Sequence, residues 1–362
     1  MKPRTKRILS MAMIVGTLAI VLIIGISDNS LGDAWAAVRS LSFRYVVLAV
    51  ATYVLYILLD AAAVYYFLRR QGYRVSPVKV AFSSIAQQYY SNITPGASGG
   101  QPMQIYYLHQ EKVPTAVATS AICMRFFCFQ VMLSIVCAVL WVRNAGFVEQ
   151  QVGSIHWILV MGFVYNTVMV AGLATLALSS KAIKRLIAWG VRIGAKFHWI
   201  KKPEDQQKKL EEAVDTFHDS LMTYRNRPLD FAVQLLIGGL QLICLMSVIY
   251  IIYLGLGLHD HSYEQLVTMN VMEFISAAYA PMPGASGAQE GVFSIYFNGI
   301  FPDNLGLGAM LLWRFFTYYI SLIIGVIALA IHGFRSGSSF REVSRENHAL
   351  MEGEQLDEAE QP

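Results

Sequence analysis

The sequence predicts an all-α polytopic membrane protein with six full spans and two re-entrant helical hairpins, the hairpins forming an inverted-topology repeat. Of its 362 residues, 55% are hydrophobic and only 14% are charged, which leaves too few polar side chains to cover a water-soluble globule. Long apolar windows recur along the chain. A small, polar heptad also occurs twice, as PGASGGQ at 95–101 and as PGASGAQ at 283–289.

Six windows are apolar over about 20 residues, the length of helix needed to cross roughly 30 Å of hydrocarbon. They cover residues 8–26, 44–68, 115–142, 155–179, 229–256 and 307–331. The basic residues before the first window resemble the start of a signal peptide, but the apolar core of such peptides is only about 7–15 residues long. We therefore expect the first window to be retained as a helix.

Lysine and arginine are distributed unevenly between the windows. The basic segments are 2–7, 69–79, 180–228 and the stretch from 335 onward. The segments that carry almost no lysine or arginine are 27–43, 143–153 and 257–263. By the positive-inside rule, the first set is cytoplasmic and the second set lies outside. The expected location is therefore the cell inner (plasma) membrane, with both the N- and the C-terminus in the cytoplasm.

Two further segments, 78–110 and 264–300, are apolar but are interrupted near the middle by proline and glycine, so neither is expected to form one plain helix. Complete spans already return the chain from one cytoplasmic segment to the next, so each interrupted segment must cross the bilayer an even number of times. We therefore expect each to be a helical hairpin with its heptad at the turn. The first hairpin enters from the cytoplasm and the second from the opposite face.

The similarity between the two halves extends beyond the heptads. The sequence Arg-Phe-Phe follows each heptad at almost the same offset, at 125–127 and at 314–316. A hairpin and its following helix, present in two opposite orientations, are typical of inverted repeats in secondary transporters. The expected organisation is a transmembrane domain at 1–333, with repeat one at about 44–142, an amphipathic cytoplasmic loop at about 180–228 and repeat two at about 229–331, and then a polar, acidic, disordered tail at 334–362.

Small residues and proline dominate both heptads, because non-helical backbone at membrane depth must be buried in protein or reached by water. The residues expected to form the hairpin turns are Pro95, Gly96, Gly99, Gly100, Pro283, Gly284 and Gly287. Ser98 and Ser286 can bond the backbone groups that the turns free. The half-helices that return from the turns begin near Pro102 and Glu290, and their N-termini attract anions.

Arg125 and Arg314 lie well inside predicted spans, where an unpaired cation costs from about 3 to above 10 kcal/mol. One interpretation is that they and the half-helix N-termini form a cationic site for a phosphate-bearing head group. The other is that they pair with internal carboxylates, with Glu290 and Glu273 as candidates, and so brace the hairpins. The two interpretations are compatible. The residues expected to bind the substrate are Arg125, Arg314, Glu290, Gln101, Gln289, Ser98 and Ser286.

Two carboxylates in apolar surroundings each have two interpretations. Glu290 adjoins the second heptad, where it is either a proton-coupling or head-group-sensing site or, as we favour, a helix N-terminal carboxylate stabilised by the dipole. Asp60 lies deep in the second window. It is either a transport carboxylate or, as we favour, the partner of a neighbouring helix.

No catalytic or cofactor-binding constellation is evident. Neither Ser98 nor Ser286 has an evident histidine or lysine base on a span, and no zinc signature, P-loop or dinucleotide fingerprint is present. The four cysteines fall inside apolar segments at no metal-ligand spacing. His259, Asp260 and His261 are more typical of a solvated turn than of a metal site. We therefore expect no enzyme activity, no cofactor, no metal and no nucleic-acid partner.

The two extended motifs, NITPGASGGQPMQ at 92–104 followed by Arg125 and PMPGASGAQEGVF at 281–293 followed by Arg314, carry a resemblance. From about 8 to 333, the chain resembles the lysylphosphatidylglycerol synthase transmembrane region, or flippase-like, family. Members look like lipid translocases or accessory proteins of lipid pathways. The resemblance has two departures: the aminoacyl-transferase domain of the bifunctional synthases is not expected here, and Gln101 stands where members often carry a carboxylate.

The resemblance and the predicted cationic site together favour the translocation of an anionic phospholipid, or of a polyprenyl or glycolipid head group, between leaflets. The partners expected on this hypothesis are anionic membrane lipids. The alternative is a non-transporting membrane partner or scaffold for a lipid-modifying or glycosyl-transferring enzyme. The basic loop at 180–228 is the best surface for such an enzyme.

Overall fold

The computed structural model describes residues 39, 41–178, 184, 215, 218–219, 222, 227–277 and 280–336. The predicted first span at 8–26 lies outside the described residues. So do most of the amphipathic loop predicted at 180–228 and nearly all of the tail predicted at 334–362. The retained first helix, the loop and the disordered tail therefore stay predictions.

The described part of the chain is helical and contains no β-strand, as the all-α prediction requires. The helices with described bounds are α1 (Phe43–Arg70), α2 (Pro77–Ile93), α3 (Gly100–Gln110), α4 (Thr115–Arg143), α5 (Ala145–Val152), α6 (His156–Leu178), α7 (Pro228–Gly255), α8 (Tyr263–Ala277), α9 (Ala288–Tyr296), α10 (Asp303–Arg314) and α11 (Ile320–Ser336). Short 3-10 turns occupy Pro95–Ala97, Gly153–Ile155 and Pro283–Ala285, and a π-helical turn at Phe315–Tyr319 joins α10 to α11.

Five helices in the described part are long and apolar enough to cross a membrane. They are Phe43–Arg70, Thr115–Arg143, His156–Thr175, Pro228–Gly255 and Asp303–His332. They coincide with five of the six predicted windows. Their outward sides carry large apolar residues such as Val168 and Leu236, both more than half exposed, as expected of helices that face lipid.

The two segments that the sequence predicts to be interrupted are both broken at their heptads. In the first, α2 and α3 pack against each other on either side of the turn Pro95–Ala97. In the second, α8 and α9 do so around Pro283–Ala285. We call α2–α3 the first broken pair and α8–α9 the second broken pair. Neither segment is a single continuous helix.

The two broken pairs start from opposite ends of the helix bundle. The first follows α1, whose end meets the start of α7, where Tyr66 and Arg70 contact Asp230 at 2.8 and 2.6 Å. The second starts just beyond the other end of α7, about 42 Å away for a helix of 28 residues. At that end, Arg143 of α4 donates to both carboxylate oxygens of Glu264 at 2.8 and 3.1 Å, which lowers the pKa of this carboxyl. The turns of the two pairs contact each other between these ends.

Helix α7 forms the centre of the bundle. It packs against α1, α4, α8 and α10, and its buried Leu242, Met246 and Tyr253 belong to the largest hydrophobic cluster. Lipid tails are as apolar as these side chains, so helix association in a membrane depends on close packing and on interhelical hydrogen bonds. Gln234 of α7 supplies one such bond, donating to the backbone carbonyl of Ala63 in α1 at 2.9 Å.

The π-helical turn follows Arg314 directly and links the two halves of the chain. Its Tyr318 hydroxyl donates to the backbone carbonyl of Asn92, in the first broken pair, at 3.2 Å. Turns of this kind are often found at functional sites, because the extra residue redirects the side chains that follow. The last span is thereby tied to the turn of the first broken pair.

Candidate functional site

The two turns have the same backbone shape over Pro-Gly-Ala. The φ angles are 58° at Gly96 and 54° at Ala97, and 57° at Gly284 and 50° at Ala285, all in the left-handed region. Non-glycine residues seldom adopt this conformation, so its occurrence at both alanines indicates a turn held by its surroundings. A side chain at Gly284 would also lie 2.1 Å from the ring of Tyr318, which makes glycine necessary there.

A cavity of about 630 Å³ lies where the two turns approach each other. Half of the predicted site residues line it: Gly96, Ser98, Gln101, Arg125, Gly284, Gln289 and Arg314. The others lie beside the cavity rather than in its wall: Pro95, Gly99, Gly100, Pro283, Ser286, Gly287 and Glu290. The structure thus brings together residues from both broken pairs and from both arginine-bearing spans.

Arg314 is 4% exposed and makes hydrogen bonds to its own half of the site. Its Nε donates to Glu290 at 2.6 Å, and Nη1 donates to the side-chain oxygen of Gln289 at 2.5 Å. Its Nη2 donates to the backbone carbonyl of Gly284 at 3.2 Å and to the Ser286 hydroxyl at 3.3 Å. A planar guanidinium can satisfy several acceptors at once, so Arg314 braces the second turn.

Glu290 has both of its carboxylate oxygens occupied. Oε1 accepts from Arg314, and Oε2 accepts from the backbone N–H of Gly287 at 2.6 Å. Glu290 is the third residue of α9, so its charge also compensates the positive end of that helix. This arrangement corresponds to the favoured interpretation from the sequence, a helix N-terminal carboxylate.

Arg125 has a carboxylate partner that differs from both candidates named from the sequence. Its Nη1 donates to Oδ1 of Asp60 in α1, and Gln241 of α7 donates to the same oxygen at 3.2 Å. Arg125 is 7% exposed, and its Nε has no hydrogen-bond partner among the described residues. Glu273, the second candidate, is fully buried, and neither of its oxygens has such a partner in the described part of the chain.

The two halves of the site differ in how accessible their turns are. In the first turn, residues 95–98 are all exposed, whereas Pro283, Ala285 and Ser286 of the second turn are buried. The backbones diverge at the same point, because Ser98 is helical while Ser286 is extended. The first turn is therefore open to the cavity, and the second is closed around Arg314.

This asymmetry makes a prediction about cysteine labelling. In a protein whose four native cysteines are replaced by alanine, Ser98→Cys is expected to react about tenfold or more faster than Ser286→Cys with a small, water-soluble thiol reagent, since reaction needs an accessible thiolate. The rates are measured as the mass added with time in detergent-solubilised protein. Equal rates at the two positions would contradict the difference between the turns.

Sequence reasoning missed several polar residues that line the cavity from neighbouring helices. Gln241 of α7 and Asn270 of α8 are almost completely buried in its wall. The sequence does show a carboxamide within an otherwise apolar segment at each position, and such a side chain is expected to face protein or water. The neighbours that they would contact could not be identified from the window alone.

The chain matches the family model described as the lysylphosphatidylglycerol synthase TM region over residues 8–325. The chain belongs to this family. The matched region contains both broken pairs and both arginines, so the site lies within the part of the chain that defines membership. A search of curated proteins finds no match to the chain.

Membership of the lysylphosphatidylglycerol synthase TM family, together with the five apolar helices, makes this a multi-pass membrane protein in contact with lipids. The family description refers to the transmembrane part of the synthases and fits a lipid-related membrane function. Within the described ranges, no group of three or more histidine, cysteine, aspartate or glutamate side chains is arranged to hold a metal ion.

Proposed function

We propose that this protein moves the phosphate-bearing head group of an anionic lipid between the two leaflets while the acyl chains stay in the bilayer. One observation carries the proposal. The two broken pairs start from opposite ends of the bundle, and their turns meet at a polar cavity that Arg125 and Arg314 both line. Broken helices that meet at a central polar site are typical of transporters, because non-helical backbone is tolerated there only beside protein or water.

The proposed membrane placement follows from the ends of the bundle. The end that carries Arg70 and Lys79 would face the cytoplasm of the inner membrane, as the positive-inside rule favours. The two broken pairs would then be re-entrant hairpins from opposite faces, and the two halves of the chain an inverted repeat. The contact between the turns would lie near the bilayer midplane.

The electrostatics favour the first turn as the place where phosphate binds. Glu290 already compensates the N-terminus of α9 and pairs with Arg314. The N-terminus of α3 has no acidic residue in its first turn, and Gln101 there lines the cavity. Arg125 also lines the cavity, and its Nε has no hydrogen-bond partner among the described residues. We propose that Arg125 and the start of α3 bind the phosphate, while Arg314 and Glu290 hold the second turn in shape.

Reconstitution tests this function directly. Vesicles that contain the purified protein and fluorescent phosphatidylglycerol are expected to expose inner-leaflet label to an impermeant quencher faster than empty vesicles do. Ser98→Trp, which fills the cavity, is expected to slow this exposure about tenfold or more, whereas Val78→Trp, on the exposed outer surface of the same broken pair, is expected to leave it unchanged.

Equal exposure of label with wild-type protein, with Ser98→Trp and in empty vesicles would overturn the proposal. Co-purification of a soluble enzyme that depends on residues 180–228, together with that result, would favour the alternative of a non-transporting partner. That loop lies almost entirely outside the described residues.

A further inference from the structure

We propose that the head group accepted by this cavity is hydroxyl-rich and neutral beyond its phosphate, such as a phosphate-linked sugar or polyol, and that the cavity discriminates against head groups carrying an ammonium. This inference rests on the proposed function and adds the chemical class of the substrate. It is argued from the charge of the cavity wall and from three buried polar atoms that have no hydrogen-bond partner among the residues that the structure describes.

The charge of the wall favours an anion over a cation. Among the described residues that line the cavity, two are arginines and none is an aspartate, glutamate, lysine or histidine. Asp60 and Glu290 lie behind the wall, where each is already paired with an arginine. An ammonium in the cavity would therefore meet two guanidinium groups and no carboxylate in the wall.

The neutral polar part of the wall is rich in carboxamides. Eight of the lining side chains are asparagine or glutamine, and four more are tyrosine. Each carboxamide offers both donors and an acceptor, which is the mixed pattern that a set of hydroxyl groups requires. Trp313, Phe126 and Phe129 contribute apolar surface to the same wall, against which the carbon skeleton of a ring can pack.

Two of these carboxamides hold acceptor oxygens in fixed positions. Gln241 donates its amide nitrogen to Asp60, and Asn270 donates its own to the backbone carbonyl of Met246 at 3.2 Å. Because both partners can only accept, the orientation of each carboxamide is determined. The oxygens of Gln241 and Asn270 have no hydrogen-bond partner among the described residues, and the two residues are 1% and 2% exposed. Each oxygen lacks a donor, and a hydroxyl group of a bound head group would supply one.

The third unpartnered atom has the opposite character. Arg125 belongs to the same wall, and its Nε is a donor that has no acceptor in the described part of the chain. A phosphate supplies such an acceptor, and hydroxyl groups next to the phosphate supply the donors for Gln241 and Asn270. A site that is built to bond hydroxyl groups rejects an analogue that lacks them, because its buried polar atoms are then left unpaired.

Lipid binding in detergent tests this inference separately from transport. The full-length protein is titrated with phosphatidylinositol, phosphatidic acid and phosphatidylethanolamine of identical acyl chains, and bound lipid is counted by native mass spectrometry. Phosphatidylinositol is expected to bind about tenfold more tightly than phosphatidic acid, and phosphatidylethanolamine is expected to bind most weakly. Equal binding of the first two, or tightest binding of phosphatidylethanolamine, would overturn the proposed class.

Two variants on the same helix distinguish a specific loss of lipid preference from a general loss of folded structure. Gln241→Leu is expected to abolish the preference for phosphatidylinositol over phosphatidic acid. Its matched control is Gln234→Leu, two turns earlier on α7. The carboxamide of Gln234 is fully buried and lies outside the cavity wall, and its oxygen also has no hydrogen-bond partner in the described ranges. This control is expected to keep the preference. If Gln241→Leu fails to fold, Asn270→Leu makes the same test from α8.

The outcomes separate the two proposals. If Gln234→Leu and Gln241→Leu both lose the preference for phosphatidylinositol, the preference does not arise in the cavity. The same conclusion holds if Gln241→Leu and Asn270→Leu both keep it. A preserved preference in a protein that moves no lipid would overturn the proposed function but leave the substrate class standing. Lipid movement without any preference among head groups would overturn the proposed substrate class but leave the proposed function standing.

Discussion

Replacing Arg125 alone with glutamine is expected to destabilise the protein by about 3–5 kcal/mol, because the buried carboxylate of Asp60 loses its cation. The double variant Asp60→Asn/Arg125→Gln removes both charges together and is expected to recover most of this loss. The double variant is nevertheless expected to move lipid about tenfold or more slowly, because the guanidinium that faces the cavity is gone. The double variant should therefore keep most of its stability while it loses most of its rate of lipid movement.

Thermal unfolding and lipid movement in vesicles are the two measurements. The matched control is Arg70→Gln/Asp230→Asn, which neutralises another ion pair between α1 and α7, at the end of the bundle and outside the cavity wall. The control is expected to retain lipid movement. Wild-type movement in Asp60→Asn/Arg125→Gln would show that Arg125 does not bind the phosphate.

Replacing Arg314 with alanine is expected to open the second turn. The guanidinium holds Glu290, Gln289, Ser286 and the Gly284 carbonyl by four hydrogen bonds. Its loss leaves the carboxylate of Glu290 nearly buried and without a cation, at an expected cost of about 3–5 kcal/mol. In this background, a cysteine placed at position 286 is expected to become as reactive as one at position 98.

The control for Arg314→Ala removes a different buried acidic side chain near the same site. Glu273→Leu removes a fully buried carboxyl whose oxygens have no hydrogen-bond partner among the described residues, so it is expected to keep or raise the unfolding temperature. Thermal unfolding in a mild detergent measures both variants. A stable Arg314→Ala variant whose position 286 stays unreactive would show that Arg314 does not brace the turn.

The partner of one of the two arginines could be predicted from the sequence, and the partner of the other could not. Arg314 and Glu290 lie in consecutive elements of one half of the chain, and Glu290 was named as a candidate partner from the sequence. The sequence does not identify Asp60 as the partner of Arg125, although it favours a contact between Asp60 and a neighbouring helix. Asp60 and Arg125 lie on helices separated by the whole first broken pair, so their contact depends on how α1 and α4 pack.

The five described spans, the two interruptions and the residue types of their turns could all be predicted from the amino-acid sequence. These follow from local properties, namely the length of an apolar run and the conformations open to proline and glycine. The contact between the two turns, the pairing of Arg125 with Asp60, and the position of Gln241 and Asn270 in the cavity wall depend on helix packing, and the structure was needed to find them. A helix that is apolar on all sides has no periodic pattern that shows which face turns inward, so its rotation about its own axis is set by the helices that pack against it.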